Sequence, residues 1–142
     1  YKEMLMYLPF EHWSPRYEAT FFSVKIDSRI RLESPPPSDN IKWNRKKNPA
    51  VYYEVQVLRG NERAVCPRRF SDFVWLYKEL LRLPLKPGDL KGMNIPPKTW
   101  FFQAQDEEFI ETRQNELYDF LRDILRRPGY AMHPAVLSFL EL

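Results

Sequence analysis

Two adjacent arginines, Arg68 and Arg69, stand with the aromatic Phe70 directly before the start of a predicted helix. Ser71 and Asp72 suit the N-cap and the first turn of that helix. A helix N-terminus carries free N–H groups and a partial positive charge, which neighbouring guanidinium groups increase. The planar fork of arginine matches phosphate oxygens two at a time. These residues therefore predict an anion site, for which phosphate is the best fit.

A further arginine, Arg113, falls where the pattern predicts a buried side chain. It lies three residues after Ile110 and four before Leu117, on the apolar stripe of a helix that opens with acidic residues near 106. Burying a charge without a partner costs several kcal/mol. An internal carboxylate, or snorkelling to the protein edge, would satisfy Arg113. A pocket in which an outside anion or polyol completes the pair would satisfy it equally, and the residues leave these alternatives open.

Other reactive residues do not form a catalytic or metal-binding pattern. His12 and His133 lie near the two ends of the chain, and Cys66 precedes a proline without a base beside it. The four scattered glycines form no phosphate-cradling loop. A single cysteine excludes an intrachain disulfide and favours a reducing compartment. We expect no enzymatic activity, no metal and no cofactor.

Composition predicts one globular domain in a chain of 142 residues, with 44% hydrophobic and 29% charged residues. The net charge of +3 is too small to indicate nucleic-acid binding by itself. No apolar run is long enough to span a bilayer. Because the chain begins with Tyr1, we expect it to be a piece of a longer protein.

The elements that must position the arginines follow from periodicity. Residues 22–32 alternate as a long strand with a bend near Ser28, and residues 51–58 alternate again. A short third strand, residues 63–66, is limited by Pro67 to an edge or an end of the sheet. One apolar stripe marks the helix after Phe70: Phe73, Leu76, Tyr77, Leu80 and Leu81. The expected fold is α+β, a three-stranded antiparallel sheet packed against a helical subdomain of about three helices with a long proline-rich loop.

Two long loops carry basic and apolar residues together. The first, residues 33–50, has four cationic residues around Trp43 and is either a solvated charged loop or a membrane-surface contact. The second, residues 84–102, contains four prolines, and three lysines alternate with apolar residues that include Leu90, Met93, Ile95 and Trp100. Such a loop either packs on the body or dips into lipid between anionic headgroups.

Residues 1–15 show no clean period. They are either an extension that lays Leu8, Phe10 or Trp13 against the domain or a partner-binding segment, and we favour packing because unpatterned apolar segments are weak signals.

Three motifs in order resemble the PX (phox homology) domain, and sorting nexins in particular. They are Arg-Phe-Ser-Asp-Phe at 69–73, Ile-Pro-Pro-Lys at 95–98 and Glu-Thr-Arg-Gln at 111–114. The resemblance covers residues 16–142 as one domain, after an extension at residues 1–15. It implies a three-stranded antiparallel sheet on a small helical subdomain, which agrees with the periodicity.

The resemblance also implies a function, the binding of phosphoinositides, most often phosphatidylinositol 3-phosphate. Arg69 would grip the 3-phosphate, with help from the helix N-terminus that Ser71 begins, and Phe70 would floor the inositol ring. Lys98 would meet the 1-phosphate. Arg113 would hydrogen-bond the 4- and 5-hydroxyls. Arg68 is expected to point away from the pocket, because side chains alternate along a strand.

The module would recruit its host protein to membranes. Five residues are predicted to insert into the bilayer: Trp43, Leu90, Met93, Ile95 and Trp100. We expect a cytoplasmic protein, peripheral on endosomal or vacuolar membranes, with phosphoinositide as its partner, protein partners through neighbouring domains, and no nucleic acid. The alternatives are a PX-fold protein-interaction module, or one that prefers a different or multiply phosphorylated phosphoinositide.

Overall fold

Four strands and three α-helices make up the computed structural model, which describes residues 4–38, 40–98 and 106–142. The strands are β1 Met6–Tyr7, β2 Phe21–Leu32, β3 Ala50–Arg59 and β4 Glu62–Arg69, and they form one sheet in that order. The helices are α1 Phe70–Arg82, α2 Glu107–Arg126 and α3 Pro134–Leu140. The predicted α+β class is confirmed.

The central strands form the predicted antiparallel meander. β2 pairs with β3, with Val24 opposite Val57, and β3 pairs with β4, with Val55 opposite Cys66. The β2–β3 register shifts between Ile26 and Arg29, where the sequence predicts a bend. This bulge bends β2, and the parts of β2 on either side of it both pair with β3.

The sheet has four strands rather than the three expected. β1 pairs with β2 in parallel, with Met6 opposite Phe21, and it lies inside the predicted N-terminal extension. Leu5 is buried in the core, and the Tyr7 ring packs edge-on against Phe22 at 5.9 Å. The extension therefore packs on the domain, with Leu5 buried. Of the three side chains predicted to pack, Leu8 and Trp13 are half-buried and Phe10 is exposed. A two-residue strand is too short to show a period of two, which is why the sequence did not reveal it.

Strand β4 is longer than the predicted residues 63–66, because it continues through Pro67 to Arg69. β4 is the outermost strand of the described sheet, a position at which a proline is tolerated. The additional length of β4 matters for the site, because it carries the pairing with β3 up to Arg69, the residue directly before α1.

The core lies between one face of the sheet and the three helices. α2 packs over β2, and α1 packs against α3. The apolar stripe of α1 supplies Phe73, whose ring meets Phe139 at 5.0 Å and Phe120 at 6.5 Å. No helix among the described residues has both the length and the apolar composition to cross a membrane.

Candidate anion-binding site

The junction between β4 and α1 positions Arg69. Arg69 is the N-cap of α1 in an extended conformation, and the helix begins at Phe70. The Asp72 carboxylate reaches back and accepts the Arg69 backbone N–H at 2.9 Å. The prediction that Ser71 begins the helix was therefore wrong by one residue, because Asp72 caps from the third helical position. Ser71 is exposed in the first turn.

Arg68 and Arg69 point to opposite sides, as strand alternation predicts. Arg68 is 1% exposed and donates to the Phe139 carbonyl and to the Glu141 carboxylate, each at 3.0 Å. The prediction that Arg68 faces away from the site is confirmed. Its charge is neutralised inside the fold, so it is not available to an outside anion.

The Arg69 guanidinium is held by neutral acceptors only. It donates to the Lys46 carbonyl at 2.8 Å and to Asn48 Oδ1 at 3.1 Å, and it lies 5.7 Å from the centre of the Tyr52 ring. No carboxylate in the described part of the chain forms an ion pair with it. An arginine has five N–H donors, so an oriented cation with unused donors remains.

Arg113 is buried as the stripe predicts, with 6% of its surface exposed. Its guanidinium carbon lies 3.8 Å from the centre of the Phe70 ring and 4.9 Å from that of Phe109. One Nη donates to the Pro97 carbonyl, whereas Nε is buried and finds no hydrogen-bond partner in the described part of the chain. Burial lowers the pKa of Arg113, because desolvation disfavours the charged form, while Tyr53 and Glu116 act in the opposite direction.

The internal carboxylate that would have satisfied Arg113 is not found among the described residues, since none comes within ion-pair distance of it. Stacking on two rings supplies part of the compensation. The unpaired Nε still lacks an acceptor, and such a buried donor costs about 1–3 kcal/mol. This arrangement favours the alternative in which a ligand completes the site.

Contacts connect the predicted headgroup residues into one continuous group. Phe70 follows Arg69 in the chain and contacts Arg113, and the carbonyl that Arg113 binds belongs to Pro97, the residue before Lys98. Lys98 itself is exposed. The structure thus stacks the Arg113 guanidinium on the ring of the residue that follows Arg69, and it bonds Arg113 to the residue that precedes Lys98.

The loop between β2 and β3, residues 33–49, is anchored to α1. The Trp43 ring stacks on Trp75 at 3.8 Å, and its Nε1 donates to Asp72 Oδ1 at 2.7 Å. Arg45 forms an ion pair with the same carboxylate at 2.8 Å. Trp43, predicted to insert into a bilayer, is thus half-buried against the protein.

Sequence reasoning missed the roles of Arg45 and Asp72. Asp72 is fully buried and accepts three hydrogen bonds from the loop, from Trp43 and Arg45. The one signal available was a carboxylate beside the apolar stripe of a helix, which needs a cationic partner when buried. Nothing in the sequence pointed to Arg45 as that partner.

The loop between α1 and α2, described up to residue 98, is anchored by apolar burial. Leu90 and Met93 are each 8% exposed and belong to the core, and Ile95 is half-buried against it. Arg127 donates to the Asp89 carbonyl at 2.8 Å. Trp100 lies outside the described residues. Bilayer insertion stays a prediction, and inserting Leu90 or Met93 would first remove them from the core.

Comparison with known proteins places this geometry in a family. A family model for the PX domain matches residues 56–142, which include all the predicted headgroup residues. Sorting nexin MVP1 of Candida albicans is 37% identical over 119 residues, which cover 80% of this chain and 15% of that protein. The serine/threonine-protein kinase Sgk3 of Rattus norvegicus is 31% identical over 107 residues, 75% of this chain and 20% of the kinase. The chain thus spans about a fifth or less of the length of these two relatives.

Solved structures agree on the fold. A designed CISK-PX domain superposes with a TM-score of 0.62 at 27% identity, covering 84% of this chain and 98% of that domain. The mouse SNX19 PX domain with bound sulphate ion superposes with a TM-score of 0.59 at 22% identity, covering 84% and 94%. The fold agrees with these PX-domain structures, and the family model matches more than half of the chain. The chain therefore belongs to the PX domain family.

Proposed function

We propose that this chain is a membrane-recruitment module that binds a phosphoinositide headgroup and performs no catalysis. The observation that carries the proposal is Arg113, a buried cation that stacks on Phe70 beside Arg69 and keeps one unpaired donor. A ligand with both phosphate and hydroxyl groups satisfies both arginines at once. Family membership, with sorting nexins among the relatives, supports the same class of ligand.

Phosphatidylinositol 3-phosphate is the proposed headgroup. Arg69 binds the 3-phosphate with its unused donors, and the first turn of α1, which contains Ser71, adds partial positive charge. Phe70 lies under the inositol ring. Arg113 donates to the 4- and 5-hydroxyls, and Lys98 meets the 1-phosphate. A monoester phosphate carries about −1.5 to −2 charges, so these cations prefer it to a diester.

Membrane contact adds to headgroup binding. Lys46, Lys47 and Lys98 are exposed around the site, and each basic residue near an anionic leaflet contributes about 1 kcal/mol. This electrostatic part weakens as salt rises, because charges beyond about 10 Å are screened at 0.1 M. Sorting-nexin relatives support a peripheral position on endosomal membranes, with Ile95 and Trp100 as the first candidates for insertion.

Liposome flotation across all phosphoinositides at fixed total charge tests the proposal. We expect the chain to float best with 3-phosphate vesicles, and Arg69→Ala to lose about 10- to 100-fold in binding, the value of one charge-assisted hydrogen bond. Arg16→Ala removes the same charge from an exposed position and serves as the matched control. Circular dichroism checks that both variants fold.

Two results would contradict this proposal. If Arg69→Ala floats as well as the wild-type chain, Arg69 does not bind the headgroup. If vesicles of every phosphoinositide fail to carry the wild-type chain, the alternative of a PX-fold protein-interaction module would be favoured. Preference for a multiply phosphorylated lipid would keep the function and replace the proposed headgroup.

A further inference from the structure

Asp72 presents a problem for the neighbouring anion site. Its carboxylate is fully buried, and its Oδ2 accepts a hydrogen bond from the Arg69 backbone N–H at 2.9 Å. A buried carboxylate is a strong competitor for an arginine three residues away, since charge-assisted pairs are the strongest hydrogen bonds available. An Arg69 captured by Asp72 would be neutralised, as Arg68 is by Glu141. Among the described residues, the Arg69 side chain instead bonds only neutral acceptors.

The reason is that Asp72 has no acceptor capacity left. Oδ1 accepts Trp43 Nε1 at 2.7 Å and Arg45 Nε at 3.1 Å. Oδ2 accepts Arg45 Nη2 at 2.8 Å and the Arg69 backbone N–H at 2.9 Å. A carboxylate offers about four lone-pair sites, so these four bonds fill it.

Arg45 is the charged member of this set. Its side chain is 6% exposed, and Nη2 also donates to the Pro67 carbonyl at 3.1 Å. The Arg45 and Arg69 guanidinium carbons lie 5.5 Å and 5.7 Å from the centre of the same Tyr52 ring. Two arginines therefore share one aromatic surface, and only Arg45 has a carboxylate partner among the described residues.

We propose that Arg45 is a positioning residue for the anion site, which neutralises Asp72 and thereby keeps the Arg69 guanidinium free for a phosphate. The phosphate part rests on the proposed function. The same loop then supplies the Lys46 carbonyl and Asn48, which orient the free guanidinium. Residues 43–48 precede residues 56–142, the part that the family model matches, whereas Arg69 and Asp72 lie inside it.

The test is a comparison of Arg45→Gln with the double variant Arg45→Gln/Asp72→Asn in the full chain. Arg45→Gln leaves Asp72 charged, and the carboxylate then captures Arg69. The added Asp72→Asn removes the competing charge but keeps an amide oxygen that accepts the Arg69 N–H. A purely structural role for the loop predicts that the double variant is no better than the single variant, whereas our proposal predicts recovery.

Nuclear magnetic resonance of the arginine Nε–Hε groups reads Arg69 directly, without any lipid. Arg69→Lys assigns the signal. We expect the signal to shift in Arg45→Gln, to return towards its wild-type position in the double variant, and to stay in place in the charge-matched control Arg16→Gln. An unmoved Arg69 signal in Arg45→Gln would overturn the proposal.

Titration with soluble short-chain phosphatidylinositol 3-phosphate supplies the binding measurement. We expect Arg45→Gln to bind about tenfold more weakly, and the double variant to recover most of that loss. A double variant as weak as Arg45→Gln would overturn the proposal. If the wild-type chain binds no phosphoinositide while the Arg69 signal behaves as expected, the proposed function fails and the role of Arg45 stands.

A second pair of variants covers the case in which Arg45→Gln does not fold. Arg45→Lys keeps a cation beside Asp72, whereas Arg45→Gln/Asp72→Asn removes both charges. In neither variant is an unpaired Asp72 carboxylate left to capture Arg69. Both variants are expected to keep the wild-type Arg69 signal. A shift of the Arg69 signal in either would contradict our proposal.

Discussion

The two long loops beside the site have similar compositions and opposite means of attachment. Each gives a backbone carbonyl to one arginine of the site, Lys46 to Arg69 and Pro97 to Arg113. The β2–β3 loop is held mainly by charged and polar bonds, of which three go to Asp72. The α1–α2 loop is held by Leu90 and Met93 in the core. One loop therefore depends on a few polar bonds, with Asp72 as their most frequent acceptor, whereas the other shares the stability of the whole core.

The largest difference between the loops should appear on removing one carboxylate that anchors each of them. Asp72→Asn leaves Arg45 buried and unpaired, which should lower the free energy of unfolding by about 3–5 kcal/mol. Asp89→Asn is the matched change in the α1–α2 loop, where the carboxylate accepts the Tyr130 hydroxyl and the Lys86 N–H. Its expected cost is about 1 kcal/mol. Urea unfolding measures both, and equal losses would contradict the contrast drawn here.

Truncating the apolar anchor should have the next largest effect. Leu90→Ala removes a side chain that is 8% exposed, and we expect a loss of about 2–3 kcal/mol in unfolding free energy. Leu85→Ala, in the same loop but 46% exposed, should change it by less than about 0.5 kcal/mol. If Leu90→Ala costs no more than Leu85→Ala, Leu90 is not the anchor.

The smallest effect should be a local one in the β2–β3 loop. Trp43→Leu removes the stack on Trp75 and one hydrogen bond to Asp72, together about 1–2 kcal/mol. Amide hydrogen exchange should accelerate for residues 43–48 and stay unchanged for the α1–α2 loop. Trp13→Leu, in the N-terminal segment, is the control for losing an indole. Acceleration throughout the protein would show that the two loops are not attached independently.

Local periodicity predicted the parts of the site that sit on regular elements. Arg113 was identified as buried because a helix repeats every 3.6 residues, and the opposite directions of Arg68 and Arg69 follow from strand alternation. Phe70 is fixed by its place as the first residue of α1, directly after β4. These residues could be assigned before any coordinates, because each position depends only on neighbours within one turn or one strand.

Long-range pairs in the loops could not be predicted in this way. Arg45 and Asp72 are 27 residues apart, and the loop that carries Arg45 has no period to give it a direction. Composition likewise does not distinguish an apolar loop residue that faces lipid from one that faces the core. Leu90 and Met93 were assigned to the bilayer for this reason, and the structure buries both.

Pro67 has a consequence beyond the path of β4. It brings no N–H group to the outermost strand of the described sheet, and the same strand begins with the charged pair Glu62 and Arg63. Proteins gathered on a vesicle meet one another far more often than in bulk solution, and an open strand edge invites copies to zip together. A proline and two charges on that rim discourage such self-association, so crowding on a surface need not become aggregation.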